Sequence, residues 1–419
     1  MRLLLISNTY APVLGGVQTV THNLAQHLLK SGHQVQVVTN RYPRSLSYEE
    51  ILDGVSIRRL LLLSPNIDSL QRKRPDLFLA SCYFYPLSLW RLQNLMRSFR
   101  PEVVNVHFPE HQIPFVLALR RRFSFRLVVS LHGHDIERVQ SENSAKNGNG
   151  RKNPTANGRL RLILREADAV TACSRHLLDQ AIRVEPSIAG KGHVIHNGID
   201  PARFTDKSFH VHPRSYVFAF GRLTHKKGFD MLLQAFARTA PATEEIDLII
   251  AGEGEERNAL ERQAQQLDLT SRVHFFERAT PQEVVRLING SRFVVVPSRR
   301  EPFGIAALEA LAAGKPILAT STGGLAEFLT EVEKNFEQSR NSSFARRPVI
   351  TLVDPTVEEL ATGLRRFFDL PAGHSGEARE YHLFDEYGWA AVTRRYENVL
   401  VGKTCLNPPG PSRASTKPQ

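Results

Sequence analysis

Short apolar runs recur along the chain, and between them lie longer stretches whose apolar positions return every three or four residues. The first pattern predicts buried parallel strands, the second amphipathic helices. In the first half the strands read 3–7, 34–39, 103–107, 127–131, 169–172 and 194–196. In the second half they read 216–220, 247–251, 272–276, 293–297, 316–320 and 349–353. Helices are expected at 18–29, 229–239 and 306–313, the last stopped by Gly314 with Pro316 just beyond. Such alternation builds βαβ units. Two sets of about six strands predict an α/β protein with two doubly wound, Rossmann-like domains facing each other across a cleft.

The expected first domain covers residues 1–199, with a mobile insert at 141–158 that is rich in Asn and Gly and almost free of apolar groups. The junction falls at 197–214, which carries Pro201 and Pro213. A second domain follows over 200–385. Residues 386–401 read as a helix able to pack on the first domain, and the Pro/Ser/Lys-rich tail 402–419 as a segment without fixed structure.

Composition adds limits. At 419 residues the chain exceeds one ordinary core, and 42% apolar with 23% charged residues is typical of a globular protein. Cys82, Cys173 and Cys405 have neither pairing nor metal spacing, which points to a reducing cytoplasm. The apolar start, residues 1–6, is too short for a signal sequence, and no apolar stretch is long enough for a membrane span. The charge is uneven. Residues 1–199 hold 26 Lys and Arg against 14 Asp and Glu, a surplus of 12, whereas residues 200–419 hold 28 of each. The surplus is either a basic solvated surface or an attraction to something anionic, such as a membrane headgroup or a phospholipid acceptor. No nucleic-acid motif accompanies it, so no nucleic-acid partner is expected.

The chemistry concentrates at strand ends. Glu301 and Glu309 stand eight positions apart, the first in the loop after the strand 293–297, the second about two turns down the following helix. One extended ligand with hydroxyl groups at both ends, such as a nucleotide-sugar, spans that separation. Gly221–Gly228 (GRLTHKKG) follows the strand 216–220 and opens a helix, so Arg222 and Lys227 flank a helix start that favours an anion. The order of residues is not that of a Walker A loop. Gly252-Glu253-Gly254 reads as a tight turn, because Arg257 stands where a dinucleotide fingerprint needs its third Gly. Gly15-Gly16, after the first strand, either lets a ligand approach the backbone or serves turn geometry alone. His132-Gly133-His134-Asp135 ends the strand 127–131. A metal would need a further ligand, as it would for His107 and His111, so no metal is expected. His132 reads either as a polar contact to substrate or as a buried structural histidine.

Together these motifs resemble the retaining family-4 glycosyltransferases of the GT-B fold. The resemblance rests on Gly15-Gly16, 167–174, Asn197-Gly198, Gly221-Arg222 with Lys227-Gly228, Glu301 with Glu309, and Gly323-Gly324. It runs from residue 1 to about 330 and returns near 352–355 and Trp389. It implies transfer of a sugar, a hexose above all, from a nucleotide-diphosphate donor with UDP favoured, by front-side displacement. Glu301 would hold donor-sugar hydroxyls, assisted by backbone N–H groups of Phe303, Gly304 and Ile305. Glu309 would bind ribose hydroxyls, Arg222 and Lys227 would neutralise the diphosphate, His132 would contact the transferred sugar, and Gly16 would lie near the phosphate. No cofactor and no metal are implied. The first domain would bind a hydroxyl acceptor, the second the nucleotide, and closure would complete the site. The lengthened segment at 330–348 and the insert at 141–158 depart from the family pattern and leave the acceptor open. Basic and apolar patches at 72–74 with 77–90, and at 120–122, suit a lipid or lipid-linked saccharide acceptor and peripheral binding to the cytoplasmic membrane face. An epimerase of the same fold and a non-catalytic sugar-nucleotide-binding protein are the competing readings.

Overall fold

A computed structural model describes residues 1–12, 15–65, 74–137, 139, 154–239, 246–338, 349–369 and 383–402. The chain divides into two units. The first comprises Met1–Ile195 with the residues from Val392 on, and the second comprises His196–Ala391. The C-terminal helix Trp389–Leu400 crosses that division.

The first unit is built on an eight-stranded sheet in the order β3-β4-β2-β1-β5-β6-β7-β8. Its strands are β1 (Arg2–Ser7), β2 (Gln34–Asn40), β3 (Glu49–Leu52), β4 (Val55–Leu60), β5 (Val103–His107), β6 (Arg126–Leu131), β7 (Ala169–Ala172) and β8 (Gly192–Val194). All neighbours pair in parallel except β3 with β4, a hairpin at the sheet edge. The hairpin is absent from the apolar pattern because an edge strand alternates exposed and covered positions and Arg58-Arg59 interrupts the run. The last strand ends two residues before the expected 194–196. Beyond it the chain continues into the second unit.

Part of the expected insert is regular. Residues 154–158 form the start of the helix Pro154–Glu166, with a proline at the first helical position, where its missing N–H costs nothing. Residues 141–153 of that insert lie outside the described residues, as do Arg72, Lys73 and 403–419. Likewise 330–338 belongs to the helix Gly323–Gln338, and 339–348 lies outside the description.

The second unit carries a six-stranded, wholly parallel sheet in the order β11-β10-β9-β12-β13-β14. The strands are β9 (Ser215–Phe220), β10 (Ile246–Ala251), β11 (Val273–Phe276), β12 (Val294–Val296), β13 (Ile317–Thr320) and β14 (Ile350–Val353). Leu248, Ile250, Val217 and Val295 enter a core closed by Leu232 and Phe236 of the helix Phe229–Thr239 and by Leu360, Leu364 and Phe367 of the helix Val357–Phe368. The order reverses between β9 and β12, which is where doubly wound sheets open a crevice at their carboxyl ends. No helix among the described residues is long and apolar enough to cross a membrane.

Candidate functional site

At the switch point of the second unit the chain leaves β9 through Gly221–Gly228 and leaves β12 through Pro297–Gly304. Because β9 and β12 are neighbours, the two loops meet. The N–H groups of Arg299 and Arg300 donate to the carbonyl of Lys226 at 2.8 and 3.3 Å. Arg299 also reaches across to clamp Asp230 with two guanidinium bonds of 2.6 and 2.7 Å. Burial pushes the Asp230 carboxyl up, and Arg299 more than offsets this, so the group lies below the usual carboxylate range. Gly228 closes the first loop with φ at 69°, and a Cβ there would stand 2.1 Å from the carbonyl oxygen of Pro297. Only glycine allows that approach.

This junction places Lys227 on Glu301. The lysine Nζ donates to Glu301 Oε2 in a close ion pair. Ser298 Oγ donates to the same oxygen at 3.2 Å. Thr322 Oγ1 in turn donates to the carbonyl of Ser298 at 3.2 Å, and Gly324 N–H to that of Glu301 at 3.0 Å, so the carboxylate stands on a fixed loop. Immediately downstream the helix Ile305–Ala312 begins. Gly304 before it adopts φ of 102°, with Leu325 Cδ1 2.5 Å from where a Cβ would lie. The N–H groups of Phe303, Gly304 and Ile305 stand at the start of that helix, which carries a partial positive charge.

Glu309 lies inside the same helix but pairs elsewhere. Arg203 Nη1 donates to Glu309 Oε1 at 2.9 Å, and Arg203 Nη2 donates to the carbonyl of Pro281 at 3.3 Å. Burial pushes the Glu309 carboxyl above its ordinary range, with Arg203 opposing. Arg222 is exposed, and its side chain has no hydrogen bond or ion pair among the described residues. The structure therefore joins Lys227 to Glu301 directly and gives Glu309 a partner, Arg203, that no local motif announced.

Gly16 and His132 belong to the first unit. Gly16 is exposed and opens the helix Gly16–Lys30. His132 follows β6, and its Nε2 lies 3.1 Å from Nδ1 of His107, with the rings stacked 5.4 Å apart. Burial pulls His132 down to about 4, so the ring is neutral at pH 7. Asp135 is engaged by the backbone around it. Its carboxylate accepts the N–H groups of His132, Gly133 and Ile136 at 2.8 to 3.0 Å and fixes the turn after β6.

Among the described residues, His212, Asp247 and His274 are close enough to share an ion. His212 precedes β9, and Asp247 and His274 sit at the start of β10 and β11, the opposite end of the sheet from the loops above. Arg214 and Arg272 approach Oδ1 of Asp247 at 3.5 and 3.6 Å, so that carboxylate already faces positive charge on several sides. The expected basic cluster 120–122 is also partly engaged. Arg120 donates twice to Asp168, at 2.9 and 2.8 Å.

Comparison with known proteins matches residues 14–203 to the model for Glycosyltransferase Family 4 and residues 202–369 to that for Glycosyl transferases group 1. The chain belongs to the family-4 glycosyltransferases. It is accordingly a glycosyltransferase enzyme, and its fold is GT-B. Glycogen synthase from Mycobacterium tuberculosis is 27% identical over 414 residues, covering 96% of this chain and 94% of that protein. The N-acetyl-alpha-D-glucosaminyl L-malate synthase of Bacillus anthracis is 23% identical over 409 residues, covering 94% and 96%. Among solved structures, sucrose-phosphate synthase from Thermosynechococcus elongatus superposes with a TM-score of 0.75 at 20% identity over 95% of this chain and 98% of its own. HepE from Anabaena, in complex with UDP and glucose, gives 0.67 at 16% over 96% and 99%.

Proposed function

We propose that this glycosyltransferase is a retaining enzyme that moves a hexose from a UDP-sugar to a hydroxyl group on a lipid or lipid-linked saccharide. The observation that carries the donor half is the Lys227–Glu301 pair beside the start of the helix Ile305–Ala312. A lone carboxylate there would repel a diphosphate. Neutralised by Lys227, it can accept hydroxyl protons while the lysine, with three donors, turns part of its charge to phosphate. Arg222 supplies a second cation, so the pair can stabilise the departing diphosphate without a metal ion. The helix-start N–H groups of Phe303, Gly304 and Ile305 add partial charge of the same sign. Glu309, held by Arg203, receives the ribose hydroxyls on its other oxygen. Gly16 gives the phosphate an approach to backbone, and His132 contacts the transferred sugar.

In the step itself the bond from the anomeric carbon to phosphate breaks, and a bond from that carbon to the acceptor oxygen forms on the same face. The acceptor proton passes to a phosphate oxygen of the leaving UDP. UDP is favoured because a relative in fold, HepE, carries UDP and glucose.

The acceptor half rests on the first unit. The helix Pro75–Phe99 exposes Leu77, Leu79, Tyr83 and Trp90, with Arg74 just before it. Together with the surplus of 12 positive charges in residues 1–199, this suits the cytoplasmic face of an anionic membrane. Incubation with radiolabelled UDP-, GDP- and ADP-sugars, with and without lipid extract, tests the reading. Lipid-dependent transfer from the UDP-sugar supports it. Isomerised donor without transfer, or transfer to water-soluble glucan alone, overturns it.

A further inference from the structure

We propose that His107 is a positioning residue for the reaction: a buried hydrogen-bond chain running from Thr171 to His132 fixes the His132 imidazole in the tautomer whose remaining donor is Nδ1–H. The proposal rests on the contact between His132 and the transferred sugar given above. Parallel register brings the chain together. His107 of β5 lies beside Ser130 of β6, and Ser130 lies beside Thr171 of β7. Asn105, two positions before His107, points to the same face of the sheet. All four side chains are buried. Tyr396, on the helix that returns to this unit, has its ring 6.4 Å from that of His107 and shares side-chain hydrogen bonds with Thr171 and Ser130.

The donors run one way. Thr171 Oγ1 donates to Ser130 Oγ at 2.9 Å, and Ser130 Oγ donates to Asn105 Oδ1 at 2.9 Å. That sets the amide, so Asn105 Nδ2 faces His107 Nε2 at 3.0 Å and donates to it. An accepting Nε2 carries no proton, and a neutral ring must then carry its proton on Nδ1. His107 Nδ1–H therefore donates to His132 Nε2 at 3.1 Å, and the same logic leaves the His132 proton on Nδ1. Burial supports neutrality at both rings, holding His107 well below its ordinary range and His132 at about 4.

Left to itself in water, a histidine ring prefers its proton on Nε2. Without the relay, His132 would turn an unprotonated Nδ1 to whatever it faces. With it, His132 offers an N–H to a sugar hydroxyl oxygen, in a fixed ring orientation.

The test uses the full chain labelled with 15N-histidine. A long-range 1H–15N correlation at pH 7, assigned through His107→Phe and His132→Ala, reports each tautomer directly. Both rings are expected as Nδ1–H in the unaltered protein. In His107→Phe the His132 ring is expected to shift toward Nε2–H, with kcat falling about tenfold, the worth of one hydrogen bond, and donor KM moving less. Asn105→Leu should act in the same direction and stands in if His107→Phe does not fold. An Nε2–H or doubly protonated His132 in the unaltered protein overturns the proposal. Normal turnover in His132→Ala removes His132 from the site and overturns the reading on which the relay rests. A crippled His132→Ala beside a normal His107→Phe overturns the relay alone.

Discussion

A carboxylate that must hold hydroxyl groups next to a diphosphate needs a cation it can share. In the proposed site Lys227 provides that for Glu301, and Arg203 opposes the burial that pushes the Glu309 carboxyl up. Arg203→Ala should therefore cost roughly 1–3 kcal/mol, discounted because Arg203 is partly exposed, and should weaken donor binding. Thermal unfolding and nucleotide titration check both. A variant as stable as the parent, with unchanged UDP affinity, contradicts the role given to the pair. A second residue-scale outcome concerns pH. Folding holds His107 and His132 below their unfolded value of 6.5, His132 at about 4, so between those limits the unfolded chain binds protons the folded one refuses. Their contribution is present above pH 6.5 and is lost as pH falls. Asp135, pushed up to about 6 by burial, takes its proton first in the folded state and offsets part of that loss. Tm is expected to drop from pH 7 to pH 5, with a shallower drop in His107→Phe, and parallel curves would contradict this. Lys227 and Glu301, which the structure pairs, stood out in the sequence as polar groups at the ends of apolar runs, and Glu309 as a lone carboxylate inside an apolar helix. Arg203 was not, since 106 residues separate it from Glu309 and nothing local marks it. Asn105, Ser130 and Thr171 were hidden inside strands, where only register shows that they meet.

Among the elements, the loops after β9 and β12 form one body. Arg299 ties them through Asp230 and the Lys226 carbonyl, and Gly228 allows the backbones to touch. Gly228→Ala is expected to lose about 2–3 kcal/mol, from the left-handed backbone and the clash with Pro297, and to displace Lys227. Its Tm and its transfer rate should fall together. A stable Gly228→Ala protein with full activity would show that the two loops move independently. Most strands of both sheets followed from apolar run length alone, because a parallel strand covered on both faces has no polar alternation to confuse. The β3–β4 hairpin broke that rule as an edge pair, and the start of the helix Pro154–Glu166 was hidden by the Asn/Gly composition that leads into it.

For the whole molecule, the uneven charge and the exposed apolar side chains of the helix Pro75–Phe99 belong to the same unit. Co-sedimentation with anionic liposomes is expected at low salt and should weaken at high salt, since exposed charges are screened beyond a Debye length of about 8–10 Å. Absence of binding at low salt would rule out the membrane as a partner. Substituting Tyr83 and Trp90 by Ser should reduce binding at both salt levels, because that contribution is apolar. The family assignment fixes what kind of enzyme this is, and the second unit supplies the donor chemistry proposed for it. The most direct measurement is transfer of labelled sugar from UDP-sugar by the unaltered chain and by Glu301→Gln, with UDP affinity and Tm measured on both. A fall in transfer of at least about a hundredfold, with the fold intact and UDP binding within a few-fold, is the predicted result. Near-normal turnover in Glu301→Gln would contradict the account.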